Sequence, residues 1–526
     1  MPSRADDTAT PKDTAISWWR ERSESGVYAG SRDELPDAAA VRYLRANGLV
    51  AETPGGWGWV LLSREHADAT AALRHNYWPL VRVLLTRYEP AAVERVSAVR
   101  LHIGEENLLA DLQVVQSSVA TRRVAEIAPK LRVEIRAASL PLLPGHIGEV
   151  TAGRVRIPVL SPARTLLSLT LGDVRDNRDL VLSWLLSLHL ARPDLESAYQ
   201  SAPRHVLLAR FGHLAEEIGN RRLADQIRDV LASEHRHPVN RAHTRVGAEI
   251  AVPRYIVSQP SLREPWSDRL RARLAKALEV VSSAAEEAES EIDRLSPAEV
   301  LVRARIEKLE DTYHSTTIEG YRITREDVRA VVEGSPYQGK TPQEIERLMA
   351  LKGYSQAFER TLEMIDGSRE AGGSRITESD CHDLYVELWG PSVDAGIVTA
   401  AALRGWRTDP VYIKNSSYVP PAPEKVSTLM RVLTEEVSRT DAGPLTRAIA
   451  LHWGFVHVHP YKDGNGRISR LLMNLVLGAG GLPWTTIRAD QRNPYFAALE
   501  HAHVGENYVP FAEFIRDCVM RSARGG

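Results

Sequence analysis

The sequence predicts a multidomain protein with an all-α C-terminal half carrying one β-hairpin, and an N-terminal half that joins a winged-helix-like segment to an α/β domain. Three observations predict this. A chain of 526 residues is long for one domain. Apolar residues recur at helical spacing through most of residues 260–526. Residues 64–235 instead alternate short strand-like runs with helical patterns, which favours a mixed domain.

Composition excludes several classes of protein. The net charge of -2 argues against a polycation that binds nucleic acid through its whole surface. Two cysteines, Cys381 and Cys518, are too few for a disulfide framework or a cysteine zinc site. No apolar run approaches the ~20 residues of a membrane-spanning helix, and the polar N-terminus lacks the apolar core of a signal peptide. A cytoplasmic protein without a membrane partner is therefore expected.

The order of segments follows from local composition. A helix with Val41 and Leu44 precedes the glycine-rich stretch Pro54–Gly58, as in the end of a winged helix. His235, His237 and His243 lie in a polar stretch without a cysteine, so a solvated linker is preferred to a metal site. The predicted segments are a flexible tail (1–34), a winged-helix-like segment (35–63), an α/β regulatory domain (64–235), a linker (236–259) and a helical domain (260–526).

The most informative stretch runs from His459 to Arg470. Helical patterns before and after it predict a loop that joins two helices, with Gly464 and Gly466 inside the loop. Glycine reaches backbone dihedrals closed to other residues, so successive N–H groups can converge on a phosphate. The N-terminus of the second helix adds its partial positive charge. The loop is therefore predicted to bind an anion.

The charged residues of this stretch suit nucleotide chemistry. Arg467 and Arg470 are three residues apart and share a helix face, where planar guanidinium groups can bind successive phosphates. Asp463 offers one hard oxygen, and Mg²⁺ (or Mn²⁺) needs only one or two carboxylates when phosphates and water supply the rest. His459 titrates near neutrality and can accept a proton from a hydroxyl.

With these residues in place, the chain resembles the Fic family, whose signature reads His-x-Phe-x-(Asp/Glu)-Gly-Asn-Gly-Arg-x-x-Arg. Every position matches except Tyr461, which stands where Phe is usual and is expected to pack under the loop. The resemblance implies transfer of AMP from ATP to a Ser, Thr or Tyr hydroxyl of an unknown protein target, or of the chain itself. By position it makes His459 the general base and Asp463 the metal ligand. Gly464, Asn465, Gly466, Arg467 and Arg470 would hold the phosphates.

A second resemblance lies upstream, in Ser315-Thr316-Thr317-Ile318-Glu319-Gly320. A helix near residues 303–320 is expected to end at Gly320. The stretch is similar to the inhibitory helix of the Fic family, Ser/Thr-x-x-x-Glu-Gly/Asn. That likeness implies that Glu319 pairs with Arg470 through a bidentate contact and keeps the γ-phosphate from seating, so the enzyme is off by default.

Two further elements complete the predicted domain. Residues 404–430 flank the polar break at Asn415 with apolar residues, which predicts a short hairpin. In the Fic fold this is the flap that aligns the target by strand addition. Tyr495 and Phe496 open the next helix, where the resemblance places the adenine side, although either ring can equally belong to the core.

Three functions stay open at this level. The first is autoinhibited AMP transfer, and the second is removal of AMP with Glu319 activating water. The third is an antitoxin-like regulator whose enzyme half modifies only itself. The stretch Val159–Leu167 and the wing-like segment resemble AbiEi-type regulators, which implies DNA binding by the N-terminal region or a protein sensor attached to the enzyme; an unrelated α/β regulatory domain is the alternative. The target, the nucleotide and a homo-oligomeric state are not decided.

Overall fold

The structure is a computed structural model that describes residues 10–62, 68–117, 121–138, 142–234, 264–334, 341–370 and 375–525. The predicted linker (236–259) and the three histidines His235, His237 and His243 lie outside these ranges. The chain divides into two compact units. Unit 1 comprises Met1–Pro265 and Tyr412–Val419, and unit 2 comprises Trp266–Val411 and Pro420–Gly526.

Unit 1 begins with a small antiparallel sheet of three strands in the order β1-β3-β2. Its elements are α1 (Pro11–Glu24), β1 (Ala29–Ser31), α2 (Ala38–Ala46), β2 (Val50–Glu52) and β3 (Gly58–Leu61). The helix and two-stranded turn expected at 35–63 are thus present. Whether the segment acts as a winged helix stays a prediction.

The prediction of a flexible tail is wrong for residues 10–34. Thr10 and Asp13 form a capping box that satisfies free N–H groups at the start of α1. Trp18 packs edge-on against Trp59 with ring centroids 4.8 Å apart, and its indole N–H donates to Glu34 O at 2.9 Å. Burial of two large rings orders a segment whose average composition is polar.

The rest of unit 1 is an α/β fold around a mixed six-stranded sheet of order β6-β7-β5-β4-β9-β8. The β5–β7 and β4–β9 pairs are parallel and the other pairs are antiparallel. The strands are β4 (Ala91–Val93), β5 (Asp111–Gln116), β6 (Arg123–Ala128), β7 (Leu131–Ala137), β8 (Ile147–Ala152) and β9 (Val155–Leu160). The helices are α3 (Ala69–His75), α4 (Tyr77–Arg87), α5 (Arg95–His102), α6 (Pro162–Ser168), α7 (Leu171–Asp176), α8 (Arg178–Ser187), α9 (Arg192–Ser201), α10 (His205–Glu217) and α11 (Arg221–Glu234).

Unit 2 is helical, and its described residues contain no strand. Its helices are α12 (Pro265–Glu291), α13 (Pro297–Ile318), α14 (Arg325–Val332), α15 (Pro342–Glu370), α16 (Glu378–Asp394), α17 (Pro423–Arg439), α18 (Pro444–Val458), α19 (Asn465–Ala479), α20 (Arg492–Val504) and α21 (Val509–Ala523). Helix α18 is buried from Ala448 to Val458 and α19 is buried over most of its length. The loop between the two central helices therefore has a rigid base.

The predicted flap hairpin is not formed, although its turn is. Ser416 N–H donates to Ile413 O across Asn415, which has a φ of 63°. The flanking residues form no strand pair. Instead, Tyr412–Val419 belongs to unit 1.

Contacts within unit 1 explain why this segment does not form a hairpin. Leu108 N–H donates to Ser417 O at 2.9 Å, and Val419 N–H donates to Asn107 Oδ1 at 3.0 Å. The Arg74 guanidinium binds both Ser416 O and Ser417 Oγ. Backbone groups that a hairpin would pair across its strands are bonded to unit 1.

No helix in the described ranges combines the length and the apolar character needed to cross a bilayer.

Candidate active site

His459 sits at the end of α18 in a left-handed conformation, with φ 51° and ψ 58°. Its N–H still donates to Phe455 O at 2.8 Å, which closes the helix. The Nδ1 atom lies 3.2 Å from Val456 O. Because a carbonyl can only accept, Nδ1 carries the proton and Nε2 keeps its lone pair. The imidazole is therefore held in the form that can accept a proton at Nε2.

Burial and charge keep this imidazole neutral. The pKa of His459 is lowered to about 4, mainly by burial; the Arg407 guanidinium acts in the same direction, and the Val456 carbonyl opposes both. At neutral pH nearly all of the protein therefore carries the basic form of the side chain.

Arg407 braces the loop, a role that sequence reasoning missed. Its side chain is 7 % exposed. Its Nε donates to His459 O at 2.8 Å, and its own N–H donates to Pro460 O at 2.9 Å. The guanidinium also binds Pro421 O. The pattern Gly405-Trp406-Arg407 gave no local signal, because all of these partners are distant in sequence.

Asn465 and Tyr461 fix the middle of the loop. Asn465 Oδ1 accepts from Tyr461 N at 3.0 Å, and Asn465 Nδ2 donates to Tyr461 O at 2.8 Å. The amide predicted to hold a phosphate thus also braces the loop. The Tyr461 ring is buried and stacks on Tyr385 at 3.8 Å, as packing under the loop requires. Its hydroxyl has no hydrogen-bond partner among the described residues.

Gly464 and Gly466 serve different purposes. Gly464 has a φ of 89° and caps α19, as the sequence predicts for an anion loop. Gly466 lies in the first helical turn and does not have a positive φ, so the dihedral argument is wrong for it. A Cβ atom at Gly466 would collide with Glu319 Oε1. Its role is to leave room beside the loop.

Arg467 is buried without a hydrogen bond. It is 1 % exposed, and its Nε, Nη1 and Nη2 lack a hydrogen-bond partner in the part of the chain that the structure describes. The nearest carboxylate oxygen, Asp463 Oδ2, is 3.6 Å from Nη2. The faces of Trp389 and Tyr321 flank the guanidinium, 5.2 and 5.6 Å from their ring centroids. Sequence reasoning identified neither ring.

Arg470, in contrast, is bound by the end of α13 through two of its three nitrogens, while its buried Nη1 has no hydrogen-bond partner among the described residues. Its Nη2 donates to Glu319 Oε1 at 2.7 Å and to Ser315 O at 3.0 Å. Its Nε donates to Ser315 Oγ at 2.7 Å. The contact with Glu319 is therefore present but not bidentate, because the serine takes the Nε position. Gly320, with φ 98°, follows Glu319 and ends the helix, as predicted.

Electrostatics make this pair strongly ionic. Burial would raise the pKa of Glu319, but the charges of Arg470 and Arg467 outweigh it and hold that pKa below its ordinary value. Burial would likewise lower the pKa of Arg470, yet the Glu319 carboxylate makes the net shift upward. Both groups stay charged at neutral pH, so the arginine is occupied by a built-in anion.

Asp463 is the one acidic residue of the loop, with a side chain that is 58 % exposed. The described residues contain no group of three or more His, Cys, Asp or Glu able to hold a metal ion by themselves. A single exposed carboxylate fits Mg²⁺ that arrives with a nucleotide, because phosphates and water then complete the coordination. It does not fit a metal bound by the protein alone.

The two predicted adenine-side rings differ in their surroundings. Tyr495 is 1 % exposed, and its hydroxyl lies 2.8 Å from His452 Nε2. It packs in the core, the alternative left open above, and a contact of Tyr495 with adenine stays a prediction. Phe496 is 37 % exposed with Arg492 over its ring. A contact of Phe496 with a nucleotide base stays a prediction.

Comparison with known proteins is consistent with this geometry. Residues 376–477 match the model of the Fic/DOC family. The protein adenylyltransferase Fic of Nematostella vectensis is 28% identical over 291 residues, which cover 53% of this chain and 64% of that protein. The protein adenylyltransferase Fic of Drosophila yakuba is 32% identical over 218 residues, 40% of each chain.

A solved structure also aligns with the chain. A Fic-domain-containing signaling protein from Bacteroides thetaiotaomicron gives a TM-score of 0.37 at 21% identity and covers 48% of this chain and 94% of that one. The chain spans less than two thirds of the length of the two curated relatives. The family match contains the whole loop from His459 to Arg470, and residues 376–477 of this chain are a Fic domain.

Proposed function

We propose that this protein is an autoinhibited adenylyltransferase that moves AMP from ATP to a hydroxyl of a protein, itself included. One observation carries the proposal. Within one helical turn, Arg467 has buried donors without hydrogen-bond partners among the described residues, while Arg470 is held by Glu319. Such a site carries positive charge that suits a chain of phosphates, and the Glu319 carboxylate blocks part of it. The two adenylyltransferase relatives support the choice of reaction.

The chemistry uses the proton acceptor first. His459 Nε2 takes the proton of the attacking hydroxyl as the hydroxyl oxygen bonds to the α-phosphorus. The bond between that phosphorus and the bridging oxygen breaks, and pyrophosphate leaves with the bonding electrons. Arg467 and the N–H groups at the start of α19 stabilise the negative charge that grows on the phosphates.

The metal would be held by Asp463 together with the phosphates, and when bound it would neutralise phosphate charge. Inhibition follows from competition for Arg470. A carboxylate and a phosphate cannot both occupy the same guanidinium edge, so Glu319 must leave before the outermost phosphate can bind there. This competition for Arg470 does not involve segment 412–419.

Intact-mass analysis after incubation with ATP and Mg²⁺ tests the proposal. Wild type, Glu319→Ala and Glu319→Ala with His459→Ala are compared, with pyrophosphate release measured in parallel. We expect adenylyl adducts and pyrophosphate from Glu319→Ala, and neither from the double variant. ATP labelled at the α-phosphate should mark the protein, and ATP labelled at the γ-phosphate should not.

Two results would contradict the proposal. Transfer of the γ-label would show a phosphoryl transferase instead. Absence of both adduct and pyrophosphate from Glu319→Ala, in protein that binds ATP, would remove AMP transfer as the function. Loss of AMP from a pre-adenylylated protein would then favour the reverse reaction.

A further inference from the structure

Arg467 poses a problem of buried charge. A guanidinium that is 1 % exposed normally has its donors satisfied, because an unmade hydrogen bond to a charged group is costly. Three of its nitrogens lack such a bond among the described residues. Asp463 at 3.6 Å offers attraction of charge without a hydrogen bond. The three nitrogens therefore lack acceptors that an anion with several oxygens would supply.

Trp389, on α16, also has a buried donor without a hydrogen-bond partner among the described residues, but its side chain is neutral. Its ring lies beneath Arg467, 5.2 Å from the guanidinium carbon. Its indole Nε1 is inaccessible to solvent, and the described residues offer it no hydrogen-bond partner. An indole N–H can only donate and usually finds a partner when it is buried. Stacking under Arg467 explains the ring but leaves the N–H unexplained.

The position of Gly464 connects the two residues. A Cβ atom built on Gly464 would lie 2.8 Å from Leu388 Cδ2, 3.1 Å from Trp389 Nε1 and 3.8 Å from Arg467 Nη2. The indole and guanidinium donors therefore border the same small space, which any larger residue at Gly464 would fill. Gly464 also begins α19, whose N-terminus carries partial positive charge. Neutral, charged and helix-end donors converge on one point.

We propose that Trp389 is a nucleotide-binding residue whose indole N–H donates to a phosphate oxygen that Arg467 also binds. The anion is a phosphate group of the nucleotide, so the inference rests on the proposed function for its ligand. Trp389 thereby does more than shield a cation, since its nitrogen adds a directional bond. An unreacted phosphate oxygen accepts two donors in this arrangement, and no covalent step is involved.

The test replaces the nitrogen and keeps the ring. Trp389→Phe leaves an aromatic face beside Arg467 but removes the donor. We expect its dissociation constant for ATP with Mg²⁺, measured by calorimetry in the Glu319→Ala background, to rise about tenfold, as for loss of one hydrogen bond to a charged group. Affinity for adenosine, which has no phosphate, should not change.

Trp266→Phe is the matched control. Trp266 also has a buried indole N–H without a hydrogen-bond partner among the described residues, and Lys425 lies over its ring at 5.6 Å. It is on α12, outside the loop. Its replacement should leave the affinity for ATP as it was. An equal loss in both variants would assign the effect to general weakening of the fold.

A spectroscopic measurement on wild-type protein does not depend on the folding of a variant. The indole ¹H–¹⁵N resonance that is missing from Trp389→Phe should shift with ATP and with pyrophosphate, and not with adenosine. A resonance that ignores ATP, or unchanged ATP affinity in Trp389→Phe, would overturn the proposal. If ATP affinity falls but Glu319→Ala transfers no AMP, Trp389 stands and the proposed reaction fails.

Discussion

Replacing Glu319 by alanine should switch the enzyme on. The substitution removes the carboxylate that accepts from Arg470 Nη2 at 2.7 Å. The arginine keeps its position, because Ser315 Oγ still accepts from Nε and Ser315 O still accepts from Nη2. The variant therefore presents an aimed guanidinium to the phosphate in place of one already bound to a carboxylate.

The size of the effect follows from the burial of the pair. The side chain of Arg470 is 3 % exposed and that of Glu319 is 23 % exposed, so solvent screens their attraction only in part. A hydrogen bond between such charged groups contributes about 1.5–3 kcal/mol. Since 1.36 kcal/mol corresponds to a tenfold change in rate, kcat/KM for AMP transfer should rise about 10- to 150-fold.

Incorporation of α-labelled AMP at several ATP concentrations is the assay, and Glu310→Ala is its control. Glu310 lies on the same helix, α13, and its carboxylate binds Arg325 at 2.8 Å near the surface. Removing it deletes an ion pair of similar chemistry without touching Arg470, so activity should stay at the wild-type level. Equal activation by both variants would show that a looser helix, not a freed arginine, turns the enzyme on. No activation by Glu319→Ala would refute the blocking role of the carboxylate.

The remaining predictions concern the loop and its supports. Because Tyr461 buries a hydroxyl without a hydrogen-bond partner among the described residues, Tyr461→Phe should raise the free energy of unfolding by about 1 kcal/mol, seen as a later urea midpoint. Tyr508→Phe removes the hydroxyl that accepts from the buried Arg273 Nε, so it should lower the urea midpoint. A lower midpoint in both variants would show that the Tyr461 hydroxyl has a hydrogen-bond partner. Because the pKa of His459 is lowered to about 4, its basic form persists to low pH, and kcat/KM should fall only near pH 4. A loss of kcat/KM centred near pH 6.5 would contradict the burial of His459 described above. Ser315→Ala, made in a Glu319→Ala background, should lower kcat/KM about tenfold because Arg470 Nε loses its hydrogen bond to Ser315 Oγ. Unchanged kinetics would mean that Ser315 contributes packing alone.

Local sequence predicted the parts of the site that are local in space. The helix–loop–helix around His459, the glycine turn at Gly464 and the helix end at Gly320 all follow from spacing and backbone preference. The contact between Glu319 and Arg470 could be expected only through a family resemblance, since 151 residues separate the two. Its geometry was beyond prediction, because Ser315 competes for the same guanidinium.

What sequence reasoning missed depends on packing between distant segments. Trp389 and Arg407 carry no local motif, and their importance comes from what lies next to them in the fold. Gly466 was assigned to the right loop for the wrong reason, because the carboxylate it accommodates belongs to another helix. The N-terminal helix was missed for a similar reason, since Trp18 is ordered by a partner 41 residues away in sequence.

The eight residues Tyr412–Val419 belong to unit 1 although they lie in the C-terminal half of the sequence, which has a practical consequence for truncating the protein. Deleting the N-terminal half would remove Arg74, Asn107 and Leu108, on which the backbone of Tyr412–Val419 depends for its hydrogen bonds. A truncated enzyme would release that segment and leave its polar groups to water or to the hairpin that the full chain does not form. Kinetics of an excised helical fragment would then describe a different conformation of Tyr412–Val419, so the 526-residue chain is the proper reference for activity measurements.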